Sequence, residues 1–114
     1  IVEGHSDNQI ITGELAKKYP SNWELSSARA SKVVNRIIDK SKNLAKKGTI
    51  DNRYKDGRIS GRLFAAGYAD QWPADLSYDD RRMGNISENI IEKYNDSEDL
   101  KSKNRRIKII YGKQ

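Results

Sequence analysis

The residues best suited to chemistry are a polar trio near the start of the chain and one arginine further on: His5, Ser6, Asp7 and Arg29. A serine, a histidine and an acid side by side could act as general acids and bases, but such neighbours are common by chance. Asp7 and Arg29 suit a different task, because a carboxylate accepts hydrogen bonds from an ammonium and a guanidinium binds a carboxylate through two parallel bonds. If the fold brings the two together, they predict a binding site for a zwitterionic group.

The first element that must position these residues is a strand. Residues 1–5 read as the end of a buried strand, and Gly4 indicates a turn or a close approach of the backbone to another part of the chain. A polar loop follows, from Ser6 to Pro20. Asp7 therefore lies just past the end of a strand, and Arg29 lies in the element that follows the loop.

The second element is a helix over about residues 22–46. Ser21 and Glu24 have the spacing of a capping box, in which the two ends satisfy each other's free backbone donors. Gly48, which follows two lysines, is suited to the residue just past the end of the helix. The apolar residues between follow helical spacing: Leu25, Ala30, Val33, Val34, Ile37, Ile38 and Leu44. We expect the stripe from Val33 to Ile38 to pack on a sheet.

Two more strands and a shorter helix are predicted in the rest of the chain. The segments 62–68 and 105–111 alternate like strands, and Ser87 to about Tyr94 has a helical apolar stripe. A polar connection with an Asp56–Gly57 turn precedes residue 62, and the charged segment 95–104 includes a short helical turn. The order strand, helix, strand, helix, strand predicts an α/β or α+β fold.

Composition limits the classes of protein and partner. The 114 residues suffice for one domain, and the net charge of +6 suits an anionic partner such as nucleic acid, acidic lipid or a carboxylate-rich cell-wall polymer. With no cysteine and one histidine, we expect no disulfide, metal site or cofactor. No run approaches the roughly 18 apolar residues of a membrane span. Because the chain starts at Ile1 without methionine, we expect a fragment whose anchor or export signal lies outside it.

Four sequence blocks in a fixed order form a recognisable pattern. They are G-H-S-D-N at residues 4–8, N-W-E-L-S-S-A-R-A at residues 22–30, R-L, G-Y and a proline within residues 62–73, and N-R-R-I-K-I at residues 104–109. The pattern resembles the C-terminal domain of the OmpA/MotB family of bacterial envelope proteins, with its G-H-T-D-N, N-x-x-L-S-x-x-R-A, R-L-x-x-x-G-y-x-x-x-x-P and N-R-R-V-E-I motifs.

The resemblance implies an OmpA-C-like fold, with a mixed sheet and helices packed on one face. It also implies a non-enzymatic domain that binds peptidoglycan noncovalently, through the zwitterionic diaminopimelate end of a stem peptide. The implied binding residues are Ser6, Asp7, Asn22, Leu25, Arg29 and Arg105. Among them, Arg29 would bind the ligand carboxylate, Asp7 would accept from its ammonium, and Leu25 would mainly serve packing.

Each implied binding residue also has an ordinary structural explanation. Asp7 could cap a turn or loop, and Asn22 could simply be the first residue of the helix. Arg29 could be an exposed helix former, and Arg105 could belong to a solvated strand end. The joint match of the four blocks is what favours the functional reading over these alternatives.

Within the family, the stretch Y-P-S-N-W-E-L-S at residues 19–26 and the long loop before it resemble flagellar stator proteins of the MotB type. The alternative is a wall anchor of an outer-membrane protein or lipoprotein, of the OmpA/Pal type. Either reading implies a membrane-anchored protein with this domain in the bacterial periplasm, and a homodimer is possible. A nucleic-acid binder is a third reading, based on a basic tail: Lys101, Lys103, Arg105, Arg106, Lys108 and Lys113. We expect no nucleic acid as partner, because most aromatic residues occupy framework positions of the family.

Three departures from the family pattern affect the expected site. Taken as one domain over residues 1–114, the chain lacks the strand and helix that normally precede the G-H-T-D block. Lys101 stands where family members usually carry arginine, four residues before Arg105. The segment 78–102 is longer than usual, which could reshape one rim of the site.

Overall fold

The computed structural model describes residues 1–48, 63–82 and 87–110. In chain order its elements are β1 (Val2–Gly4), α1 (Gly13–Lys18), α2 (Asn22–Lys46), β2 (Ala65–Gly67), α3 (Tyr78–Arg82), α4 (Glu88–Lys93), α5 (Glu98–Asn104) and β3 (Ile107–Ile109). The chain thus has an α+β fold, as its pattern of elements predicts. The Asp56–Gly57 turn lies outside the described residues.

The three strands form a mixed sheet in the order β2-β1-β3. The central strand β1 runs parallel to β2 and antiparallel to β3, so Gly4 lies opposite Gly67 on one side and Ile107 on the other. Backbone bonding continues past the end of β1, where the His5 and Ser6 N–H groups donate to the carbonyls of Arg106 and Ala69 at 2.9 and 2.8 Å. These bonds fix the backbone immediately before Asp7.

Helix α2 has the bounds that the sequence predicts. Its N-cap, Ser21, accepts a hydrogen bond from the Trp23 N–H at 3.2 Å, and its hydroxyl donates to the Glu24 carboxylate. At the other end Gly48 has a φ of 75°, and its N–H donates to the Ala45 carbonyl at 3.0 Å. Local capping signals therefore define both ends of the helix.

The start of α2 lies unusually close to the sheet. A methyl group at Gly4 would overlap the backbone carbonyl of Ser26, and one at Gly67 would overlap Ser27. Only glycine permits this approach, which explains why a strand carries glycine at these two positions. The close contact buries Ser26 and Ala30 completely, so the first turns of α2 are fixed relative to the end of β1.

The stripe expected to pack on the sheet is only partly covered. Val33, Val34, Ile37 and Ile38 are half-buried, whereas the helix residues nearest the sheet are fully buried. A helix of 25 residues is roughly 37 Å long, while strands of three residues span only about 10 Å. The strands are therefore too short to cover the whole helix, and the buried residues of its second half are Ser41 and Ala45 rather than the predicted stripe.

Two short helices lie in segments that the sequence pattern left as loops. Helix α1 falls inside the predicted loop 6–20 and has no buried residue, and α3 lies ahead of the shorter predicted helix. The predicted helices near 87–94 and 95–104 are present as α4 and α5. No helix in the described ranges is long and apolar enough to cross a membrane.

Asn104 holds the region before β3 together. Its side chain, 2% exposed, accepts from the Ala74 N–H at 2.7 Å and donates to the Tyr94 carbonyl and the Asn95 side chain, both at 2.9 Å. A buried side-chain amide with three partners fixes its backbone firmly. Asn104 therefore positions the next residue, Arg105, against the end of β1.

Candidate functional site

An open cleft of about 310 Å³ lies where the end of β1, the start of α2 and the start of β3 meet. All of the binding residues inferred from the resemblance line it: Ser6, Asp7, Asn22, Leu25, Arg29 and Arg105. Further lining residues come from the loop after β1 and from α1: Gln9, Ile10, Ile11, Thr12 and Leu15. The expected convergence of Asp7 and Arg29 on one pocket is therefore present.

Asp7 is more deeply integrated in the protein than expected. It is 5% exposed, one carboxylate oxygen accepts from the Gln9 N–H at 3.0 Å, and the other accepts from Arg105 Nη1 at 2.7 Å. These partners fix the loop after β1 and join it to the start of β3. Asp7 therefore has the structural role in the loop that was its alternative explanation, and its side chain also lines the cleft.

Arg105 bridges two carboxylates. Besides Asp7, it donates through Nη2 to Glu98 at 2.5 Å, and its side chain is 34% exposed. The Glu98 carboxylate, and after it that of Asp7, raises the pKa of Arg105 above its usual value, while Arg105 lowers the pKa of Glu98. Asp7 and Glu98 thus offset the charge of Arg105, which the resemblance implied as a binding residue. Nothing in the sequence pattern singled out Glu98 for this role.

Arg29 is the cation of the cleft that remains available. Its side chain is exposed, and within the described residues it has no carboxylate within ion-pair distance. It also borders two adjoining clefts of about 270 and 280 Å³, one shared with Arg105 and Ile107 and the other with Lys32 and Arg36.

Asn22 and Ser6 shape the polar side of the cleft. The Asn22 amide donates to the Gln9 carbonyl at 3.0 Å and more weakly to the Asp7 carbonyl at 3.3 Å. The Ser6 hydroxyl donates to the Asp7 carbonyl at 2.9 Å. Asn22 is therefore more than the first residue of the helix, because it ties the loop after β1 to α2. Leu25, 8% exposed, packs beside them as expected.

His5 lies behind the cleft and does not line it. It is 1% exposed, its Nε2 lies 3.0 Å from a Glu3 carboxylate oxygen, and its ring stacks on Tyr68 with centroids 4.9 Å apart. Burial lowers the pKa of His5 below its usual value. Because the Ser6 hydroxyl bonds to a carbonyl rather than to His5, the polar trio has no nucleophile–base pair.

The apolar lining residues between β1 and α2 are the ones that the sequence reasoning missed. Ile10, Ile11 and Leu15 lie in a loop that was read as polar. The signal was the Ile10–Ile11 pair itself, two β-branched apolar residues amid polar neighbours.

The unusually long segment 78–102 contributes to a second cleft beside the first. This cleft, of about 510 Å³, is lined in part by Asp70, Glu88 and Glu92, and it shares Ile10 with the main cleft. Helix α4 thus lines this neighbouring cleft, and none of its residues is among those that line the main cleft. Among the residues with described positions, no group of acids and histidine is arranged to hold a metal ion.

Comparison with known proteins gives one likeness and no assigned family. No family model and no solved structure matches the chain. The chain is similar to the uncharacterized protein YtxE of Bacillus subtilis, with 40% identity over 72 residues. The match covers 63% of this chain and 22% of that protein, so the chain spans about a fifth of the length of this relative.

Proposed function

We propose that this chain is a noncovalent peptidoglycan-binding domain of the OmpA/MotB type. The observation that carries the proposal is the cleft itself. Residues from three sequence blocks, at 4–8, 22–30 and 104–109, line one cavity although they are far apart in the chain. Because the resemblance named the same residues, chance agreement between motif and geometry is a poor explanation.

The ligand is the diaminopimelate end of a stem peptide. Arg29 binds its carboxylate through two parallel hydrogen bonds, a geometry that lysine cannot provide. Asp7 accepts from the neighbouring ammonium in addition to its bonds within the protein, because each carboxylate oxygen has two lone pairs. Arg105 orients the Asp7 carboxylate in the cleft rather than acting as an independent second cation.

Binding rather than catalysis is the proposed activity. The side chains that could exchange protons in the polar trio are separated, since His5 is bonded to Glu3 behind the cleft. The Asp7 carboxylate is paired with the Arg105 guanidinium at 2.7 Å rather than with a base or a nucleophile. Both observations favour a binding cleft over a site of proton transfer.

The setting follows from the resemblance. We propose a periplasmic domain of a bacterial protein that a segment outside this chain anchors to a membrane. A flagellar stator subunit of the MotB type is the first choice, because residues 19–26 match that group most closely. A wall anchor of the OmpA/Pal type is the alternative, and a homodimer is possible in either case.

The experiment is co-sedimentation of the purified chain with peptidoglycan sacculi. The chain should pellet with sacculi and be released by free diaminopimelate, whereas cadaverine, a diamine that has no carboxylate for Arg29 to bind, should release little. Chitin, a related glycan without stem peptides, should leave the chain in the supernatant. Pelleting that diaminopimelate cannot compete would overturn the proposal. Tight duplex DNA binding at physiological salt would favour the nucleic-acid reading instead.

A further inference from the structure

The cleft has a second wall that is apolar and exposed. Ile10 is 87% exposed and Leu15 is 46% exposed, although both side chains line the cavity. Single exposed apolar residues are common on protein surfaces, but two that share one cleft with Ile11 form a patch that a ligand can cover.

The segment that carries this wall is held by polar bonds rather than by packing. Helix α1 has no buried residue, and the Asn22 amide bonds to the Gln9 carbonyl at the start of the segment. Leu15 accepts through its carbonyl from the Tyr19 N–H at 2.8 Å, which closes α1. Since the apolar side chains of this segment do not serve the core, their place in the cleft needs another explanation.

The same cleft also carries charged groups. Asp7 and Arg29 line it together with Ile10 and Leu15, so the cleft is suited to a ligand that carries both a zwitterionic group and aliphatic groups. We infer that Ile10 and Leu15 bind the alanine methyl groups next to the diamino acid in the stem peptide. This inference rests on the proposed function and makes the two residues specificity determinants, separate from the charged pair.

Calorimetry with three ligands tests the inference: free diaminopimelate, a stem tripeptide that ends in it, and the tetrapeptide extended by D-alanine. The wild-type chain should bind the tetrapeptide more tightly than the tripeptide, by about fourfold for one covered methyl group. Ile10→Ser and Leu15→Ser should each remove much of this preference and weaken the binding of free diaminopimelate less than that of the tetrapeptide. Because both side chains are exposed, the variants should melt like the wild type.

Phe64→Ser is the matched control, since Phe64 is 64% exposed and does not line the cleft. It should retain the wild-type preference. The inference is overturned if the wild-type chain binds the three ligands equally, or if the serine variants weaken free diaminopimelate as much as tetrapeptide. A wild-type chain that binds none of the three would overturn the proposed function as well.

Discussion

Arg105 donates a hydrogen bond to the Asp7 carboxylate at 2.7 Å, although the two residues are 98 positions apart in the sequence. The pair connects the loop after β1 to the residues that lead into β3. Asp7 is the buried partner, with a side chain 7% exposed, whereas the Arg105 side chain is 34% exposed. The buried Asp7 carboxylate thus depends on this ion pair more than the Arg105 guanidinium does, since Arg105 has a second carboxylate partner in Glu98.

Asp7→Asn should destabilise the chain as well as weaken ligand binding. The amide keeps the size of the side chain but loses the charge-assisted bond to Arg105, which costs about 1–3 kcal/mol when one partner is buried. Urea denaturation measures the loss. The matched control is Asp75→Asn, because the Asp75 pair with Lys103 at 3.0 Å is exposed on both sides. The control should lose less than about 1 kcal/mol. Equal losses in the two variants would contradict the structural role of Asp7.

The parts of this fold that could be predicted are those with local signals. Helix α2 was predicted to its end residues because Ser21, Glu24 and Gly48 act on the backbone next to them. Helix α1 escaped because its six residues, G-E-L-A-K-K, contain no apolar stripe and bury nothing. The strands were predicted in place but too long, since alternation of residues does not say where the partner strand ends.

The candidate site shows the same division. The residues on its charged wall could be named, because motif resemblance carries residue identities. Their partners could not, since the Arg105 bonds to Asp7 and Glu98 depend on how distant segments pack. The half-burial of Val33 and Ile37 escaped for a similar reason, because a helical stripe does not reveal how much sheet lies beneath it.

Gly4→Ala should destabilise the chain strongly, because the new methyl group would overlap the Ser26 carbonyl. Moving α2 away from β1 costs about 1–3 kcal/mol or more, as for other overpacked sites. Gly13→Ala is an informative comparison, since open space surrounds Gly13 but its φ is 68°. That variant should lose only about 1 kcal/mol, through backbone strain alone. Thermal melting of both proteins measures the difference, and a Gly4 variant as stable as the Gly13 variant would argue against close packing of α2.

Stability should fall as the pH drops from 7 to 5, because of His5. Burial lowers the pKa of His5 in the folded chain below 6.5, the ordinary value that applies to the unfolded chain. His5 therefore binds a proton more readily in the unfolded chain than in the folded one. The stabilisation that comes from neutral His5 is complete above the ordinary pKa and is lost as the pH falls below it. His5 is the chain's single histidine, so His5→Gln should flatten the dependence of the unfolding free energy on pH over this range, even if the variant is less stable at every pH. Denaturation at several pH values tests this, and an unchanged slope in the variant would exclude His5 as its source.

Arg29→Ala should abolish co-sedimentation with sacculi while leaving the fold intact. The guanidinium is exposed and has no ion-pair partner among the described residues, so its loss should change stability by less than about 0.5 kcal/mol. In the complex, by contrast, the ligand carboxylate would lie unpaired in the cleft, at a cost of about 2–5 kcal/mol in binding. Arg29→Lys should restore binding only in part, because an ammonium cannot make the two-pronged contact.

The matched control is Arg36→Ala, which removes an exposed arginine of the same helix that does not line the main cleft. If the Arg29 variant is folded and pellets like wild type, or if the Arg36 variant loses binding equally, the charged wall is not where the ligand binds.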